Sequence, residues 1–217
     1  MTDLGEVIIE NLHTLEGAFP GAQLMRAVAL PSSGPSAVIM PRGFDHLKDA
    51  SAPKSRPVIP AFLADIDGRA VRLEFSPAPS PDVWWLNVFS GVVSCPCCFA
   101  ITGRATLPWF QRCLETAAVE EFTLASWKAG ADYILTSAES ARAKALFSSA
   151  ERCAELQELG SFVHLAVAPR FARLVREVSS PDAVTAEKLR EEMELWAGFV
   201  KRMEGWLAEA DGVVPAQ

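Results

Sequence analysis

The sequence predicts an α+β fold: an N-terminal antiparallel sheet of about five or six strands with an N-terminal helix, followed by a C-terminal helical part of about four helices. Two observations carry this expectation. Eleven of the 15 prolines and eight of the 13 glycines precede Ala105, so turns punctuate the first half and are sparse in the second. Apolar residues alternate before that point and recur at helical spacing after it. The expected division is a strand-rich part over 1–104 and a helical part over 105–217, packed on the sheet.

The elements follow in order. Residues 4–16 read as a helix, with Leu4, Ile8, Leu12 and Leu15 on one face, Asp3 and Glu6 as a capping pair, and Gly17 as its stop. Residues 24–30 and 37–40 read as short strands around the turn-forming run from Pro31 to Pro35. Asp67-Gly68 supplies the positive φ angles of a two-residue turn between strands 58–66 and 69–75, on the second of which Val71, Leu73 and Phe75 alternate with Arg72 and Glu74. Strands over 83–93 and 99–102 complete the sheet. After Arg104, Thr106 caps a helix carrying Leu107, Phe110 and Leu114, with Pro108 in its first turn. The stretch 120–135 fits helix and strand equally. Further helices are expected over 138–159, stopped by Gly160, over 169–178, and over 186–210.

Composition bounds the function. Half of the 217 residues are hydrophobic and 22% are charged, a globular balance. The net charge is −7, shared by both halves, and no basic cluster longer than Lys201-Arg202 occurs. Nucleic acid and anionic membranes are therefore not expected partners. Acidic residues at Asp3 and Glu6, where an export signal is basic, predict a cytoplasmic protein. The 21 residues 83–103 carry no charge and are long enough to span a bilayer. Their aromatic and β-branched content, with Asn87, Gly91 and Pro96, instead fits two buried strands and a turn.

The five cysteines form an odd set, with three packed into Cys95-Pro96-Cys97-Cys98. That is not a disulfide framework. Three thiols within four residues can hold a soft metal such as Zn²⁺ or Cu⁺ or form a reactive dithiol. The tetrapeptide resembles half of a zinc-ribbon knuckle, which implies a second cysteine pair as further ligands. Cys113 is the nearest additional thiol, while Cys153 shares a helix face with Leu146, Ala150 and Leu156 and reads as core. The expected metal ligands are Cys95, Cys97, Cys98 and Cys113. Arg42, Asp45, His46 and the cysteines are the first candidates for a dispersed catalytic site, and no nucleophile-elbow, phosphate-loop or dinucleotide-loop spacing is present.

The last helix has a continuous apolar seam of Leu189, Met193, Trp196, Val200, Met203 and Leu207, widened by Leu195, Phe199 and Trp206. It fits the chain's own core, or a partner chain taken up by Trp196, Phe199, Met203 and Trp206. Gly198 and Gly205 on the opposite face weaken a solvated helix, which invites a close approach by another backbone. In Trp84-Trp85 the two indoles point to opposite faces of a strand, so one of them is a candidate contact residue. The functional expectation is a non-enzymatic protein that binds another protein or a second copy of itself. The alternative is a thiol-dependent metal protein.

Overall fold

A computed structural model of the chain describes residues 3–25, 59–78, 80, 82–92, 97–103, 120–123, 133–137 and 139–210. The described elements are α1 (Leu4–Ala18), β1 (Gln23–Met25), β2 (Ala61–Ile66), β3 (Arg69–Pro77), β4 (Trp84–Gly91), β5 (Phe99–Gly103), β6 (Glu120–Thr123), β7 (Tyr133–Ser137), α2 (Ser140–Leu146), α3 (Ala150–Glu158), β8 (His164–Ala168), β9 (Phe171–Val178), a 3-10 turn (Pro181–Ala183) and α4 (Ala186–Ala210). The expected strand 37–40, the helix begun at Thr106, and Arg42, Asp45, His46, Cys95 and Cys113 lie outside the described residues.

The α+β class stands, with two corrections to its layout. Among the described residues the sheet has nine strands, in the order β1-β2-β3-β4-β9-β8-β5-β7-β6, instead of five or six. The helices are split, with α1 before the sheet's first strand and α2 to α4 late in the chain. Every neighbouring pair of strands is antiparallel. Strands from before and after residue 104 alternate along this one sheet, since β9 lies on β4 and β8 lies on β5.

Local chemistry explains the elements that form as expected. Asp3 caps α1 by accepting a hydrogen bond from the Gly5 amide at 2.8 Å, and Ile8, Leu12 and Leu15 are fully buried. Asp67 and Gly68 take φ of 53° and 78°, joining Ile66 to Arg69 in register, and the Gly68 amide donates to the Asp65 carboxylate at 2.7 Å. The charge-free run forms β4 and β5, and no helix among the described residues is long and apolar enough to cross a membrane.

Two expectations are corrected. Residues 171–178 form a strand, not a helix: Ala172, Leu174 and Val178 face the main core, Arg173 and Val175 the other side, and β4 and β8 satisfy the backbone on both edges. The span 138–159 is two helices. Ser149 accepts from the Arg152 amide at 3.4 Å and restarts the helix, while Phe147 turns inward to meet the Phe99 ring edge-on at 5.0 Å. Gly160, at φ 69°, ends α3 as expected. The ambiguous stretch 120–135 begins in β6 and ends in β7.

The main core lies between one sheet face and the helices, joining Ile8 and Leu12 of α1, Phe62, Leu73, Leu86 and Val88 of the sheet, and Leu189, Trp196 and Phe199 of α4. Arginine–glutamate pairs fasten α4: Arg69 to Glu204 at 2.5 Å, Arg176 to Glu192 at 2.6 Å, Arg202 to Glu155 at 2.5 Å and Arg152 to Glu209 at 2.7 Å. The opposite sheet face has its own small core, where Trp85 packs with Ala78, Val163 and Val175. Both indoles of Trp84-Trp85 are thus buried, one in each core.

Candidate functional site

The sheet's second face carries the most polar chemistry among the described residues, because antiparallel register lines up side chains from successive strands. One row runs Leu63, Arg72, Phe89, Arg173, Ala166, Ala100, Thr136 across β2, β3, β4, β9, β8, β5 and β7. The next row runs Glu74, Asn87, Val175, His164, Thr102.

Phe89 is the pivot of the first row. The Arg72 guanidinium lies 6.0 Å from its ring centroid and that of Arg173 lies 5.5 Å from it, distances at which a cation is drawn to an aromatic ring. The two arginines differ in setting. Arg72 is 41% exposed and pairs with Glu74, whereas Arg173 is 6% exposed. The Asn87 side-chain carbonyl accepts from Arg173 Nη2 at 2.5 Å and Nε at 3.2 Å, and its amide nitrogen donates to Ser76 Oγ at 3.1 Å. A buried guanidinium is thereby held in one orientation by a side chain that is itself held.

His164 shares a hydrogen bond with Thr102 Oγ1 at 2.8 Å. Burial, reinforced by the positive charge of Arg173, pushes its pKa down to about 3. The imidazole is neutral at ordinary pH and a weak base, unlike a general base, whose pKa lies near the working pH.

Cys97 is also placed against ionisation. Cys97 is buried in the main core, and that burial raises its thiol above the usual range, although a hydrogen bond with Ser137 works the other way and Glu139 adds to the rise. Cys98 is half-buried, and its carbonyl accepts from Ser137 Oγ at 2.6 Å. Cys153 is buried and donates to the Phe147 carbonyl at 3.3 Å, as a core thiol does. Among the described residues no group of three or more His, Cys, Asp or Glu side chains could hold a metal ion.

The seam residues meet one another instead of a surface. Trp196, Phe199 and Met203 are fully buried and Trp206 nearly so. Phe199 stacks on Trp196 at 5.7 Å and meets Trp206 edge-on at 5.6 Å. Of the two alternatives for these four side chains, the described fold packs them into the chain's own core. A Cβ at Gly205 would meet nothing within 4 Å, and one at Gly198 only the end of Arg202 at 3.5 Å. Among the described residues no backbone closes on either position.

Sequence reading missed Arg72, Asn87, Phe89 and Arg173 as a cluster. Their only signal was an asparagine in a charge-free run and, for Arg72, a polar position in the alternation of β3.

The fold and this cluster define an α+β protein with one broad antiparallel sheet, helices on one face and an arginine–aromatic row on the other. No protein-family model matches the chain, and no curated protein matches it. Among solved structures, the crystal structure of the mycobacterial trehalose monomycolate transport factor A, TtfA, aligns over 100% of this chain and 99% of that one, at 10% identity and a TM-score of 0.49.

Proposed function

We propose that the chain is a non-enzymatic protein that binds another protein through the open part of the second sheet face, around Arg72 and Phe89. The observation that carries this reading is the arginine–aromatic row, whose β2–β4 part is partly exposed at Leu63, Arg72, Glu74 and Phe89. Arginine and aromatic side chains are the residue types enriched where protein surfaces bind one another. The partner it fits presents an apolar side chain to Phe89 and a carboxylate to the outer edge of Arg72. His164 and Cys97 support the same reading, since the fold keeps both uncharged and buried.

A photo-crosslinking residue in place of Arg72, introduced in the producing cell, tests it. The expected outcome is a discrete protein adduct that Phe89→Ala abolishes, with no such adduct from the same group in place of the exposed Lys201. The same adducts from both positions would sink the proposal. Metal content under reducing conditions separates the rival. About one zinc per chain, released together with newly reactive thiols, would turn attention to Cys95, Cys97, Cys98 and Cys113. On the present reading Cys98 is alkylated readily and Cys97 only after unfolding, as peptide mapping would record.

A further inference from the structure

The turn between β2 and β3 brings together the groups of a self-modification reaction. Asp67-Gly68 is the tip of this hairpin, and Asp65, Asp67 and Gly68 are all exposed. An aspartate followed by glycine is especially open to attack by the next amide nitrogen on its own carboxyl group, because glycine sets no side chain in the way. In that reaction the Gly68 nitrogen bonds to Asp67 Cγ, and the amide proton and the carboxyl hydroxyl leave together as water. A second water then opens the five-membered imide at either carbonyl. Opening at the main-chain carbonyl breaks its bond to the Gly68 nitrogen and leaves isoaspartate, with the chain running through Cγ and the former main-chain carbonyl as a free carboxylate. The net change is an isomerisation that needs only solvent.

The folded hairpin opposes this step in two ways. Asp67 and Gly68 take φ of 53° and 78°, the positive pair of a type I′ turn, in which ψ at the first position is about +30°. Ring closure needs Asp67 Cβ and the Gly68 nitrogen nearly eclipsed about the Asp67 Cα–C bond. At the ψ of this turn, tetrahedral geometry sets them on almost opposite sides of it. The Gly68 amide also donates to Asp65 Oδ1 at 2.7 Å. That charge-assisted bond fixes the nitrogen in the turn's orientation, and rotation toward the ring must break it. Behind the turn the ladder pairs Ile66 with Arg69 and Asp65 with Ala70, which resist the same rotation.

We propose that Asp67 is a site of isoaspartate formation that the folded hairpin restrains, with Asp65 as the latch on the Gly68 amide. The modification accumulates in chains whose turn has opened, and it then keeps the turn from re-forming, because an added backbone carbon between Ile66 and Arg69 does not fit a two-residue connection. Arg69 follows the turn directly. It donates to the Gly91 carbonyl at 2.7 Å and to Glu204 of α4 at 2.5 Å, so the lesion reaches the fastening of α4. None of this depends on the binding surface around Arg72.

The test incubates the full chain near neutral pH and counts isoaspartate at position 67 by peptide mapping with electron-transfer fragmentation, which separates the two linkages of equal mass. The samples are native wild type, wild type in denaturant, and the variants Asp65→Ala and Asp65→Asn, each checked for folding by circular dichroism. The wild-type rate in denaturant is expected to exceed the native rate by about tenfold or more, as for a site freed by local opening. Asp65→Ala raises the native rate about fivefold, the factor that one lost hydrogen bond gives. Asp65→Asn, whose side-chain oxygen still accepts, stays within about twofold of wild type. No isoaspartate at position 67 in denaturant overturns the site, and equal native and denatured rates overturn the restraint. A folded Asp65→Ala no faster than wild type, or an Asp65→Asn as fast as Asp65→Ala, overturns the latch. The comparison of native with denatured wild type needs no variant and stands even if Asp65→Ala does not fold.

Discussion

His164 is the residue whose environment makes the sharpest demand. Its imidazole is buried beside Arg173 and its pKa falls to about 3, against about 6.5 in an unfolded chain. Below pH 6.5 the unfolded state therefore binds a proton that the folded state refuses. The stability this group contributes is fully present above pH 6.5 and is lost as pH falls toward 3, at up to about 1.4 kcal/mol per pH unit. Urea unfolding at pH 7.5 and pH 5 is expected to show this loss in the wild type and a reduced one in His164→Asn. Equal pH slopes would mean that the histidine titrates freely. Arg176 makes a different demand. It pairs with Glu192 at 2.6 Å and donates to the carbonyls of Leu159 and Ser161 just past the end of α3, with both partners of the ion pair about 15% exposed. Arg176→Ala leaves Glu192 half-buried without its cation, and a destabilisation of about 3 kcal/mol is expected. A double-mutant cycle with Glu192→Gln should recover part of it as coupling.

Among the elements, α4 shows how far helical spacing can be read from sequence. Its seam of Leu189, Met193, Trp196, Val200, Met203 and Leu207 is buried throughout. Periodicity named the face but not what covers it, because a core and a partner look alike from one helix. On the other side, Gly205 has open space and ordinary helical backbone, so Gly205→Ala is expected to raise stability by about 0.5–1 kcal/mol, measured as a shift in the denaturation midpoint. A loss of stability would reveal a neighbour at that face. β9 shows the opposite case. The order Ala172, Arg173, Leu174, Val175, Arg176 suits helix and strand alike, and only β4 and β8, far away in the chain, make a strand the lower-energy choice. The hairpin at Asp67-Gly68 was legible because its turn chemistry is complete within two residues.

At the scale of the molecule, the interleaved sheet predicts one cooperative unit. The parts 1–104 and 105–217 share the ladders β4–β9 and β5–β8, so loss of either removes the partner of the other. Unfolding followed by tryptophan fluorescence and by far-UV circular dichroism is expected to give coincident single transitions. Two separated transitions would show that the parts are independent domains. The candidate site follows the same logic. Asn87 and Arg173 are 86 residues apart and sit side by side only because β9 enters beside β4. No local pattern announces such a pair.

Taken alone, the sequence determined what short-range sterics and hydrogen bonding decide: the capped first helix, the tight hairpin, the stop at Gly160, the apolar face of α4 and the α+β class. The tertiary structure alone decided which strands are neighbours, which face of the sheet each side chain meets, and the protonation of His164 and Cys97. The physical reason is the range of the forces involved. A turn is settled within a few residues, whereas desolvation and strand pairing depend on groups that only the completed fold brings together.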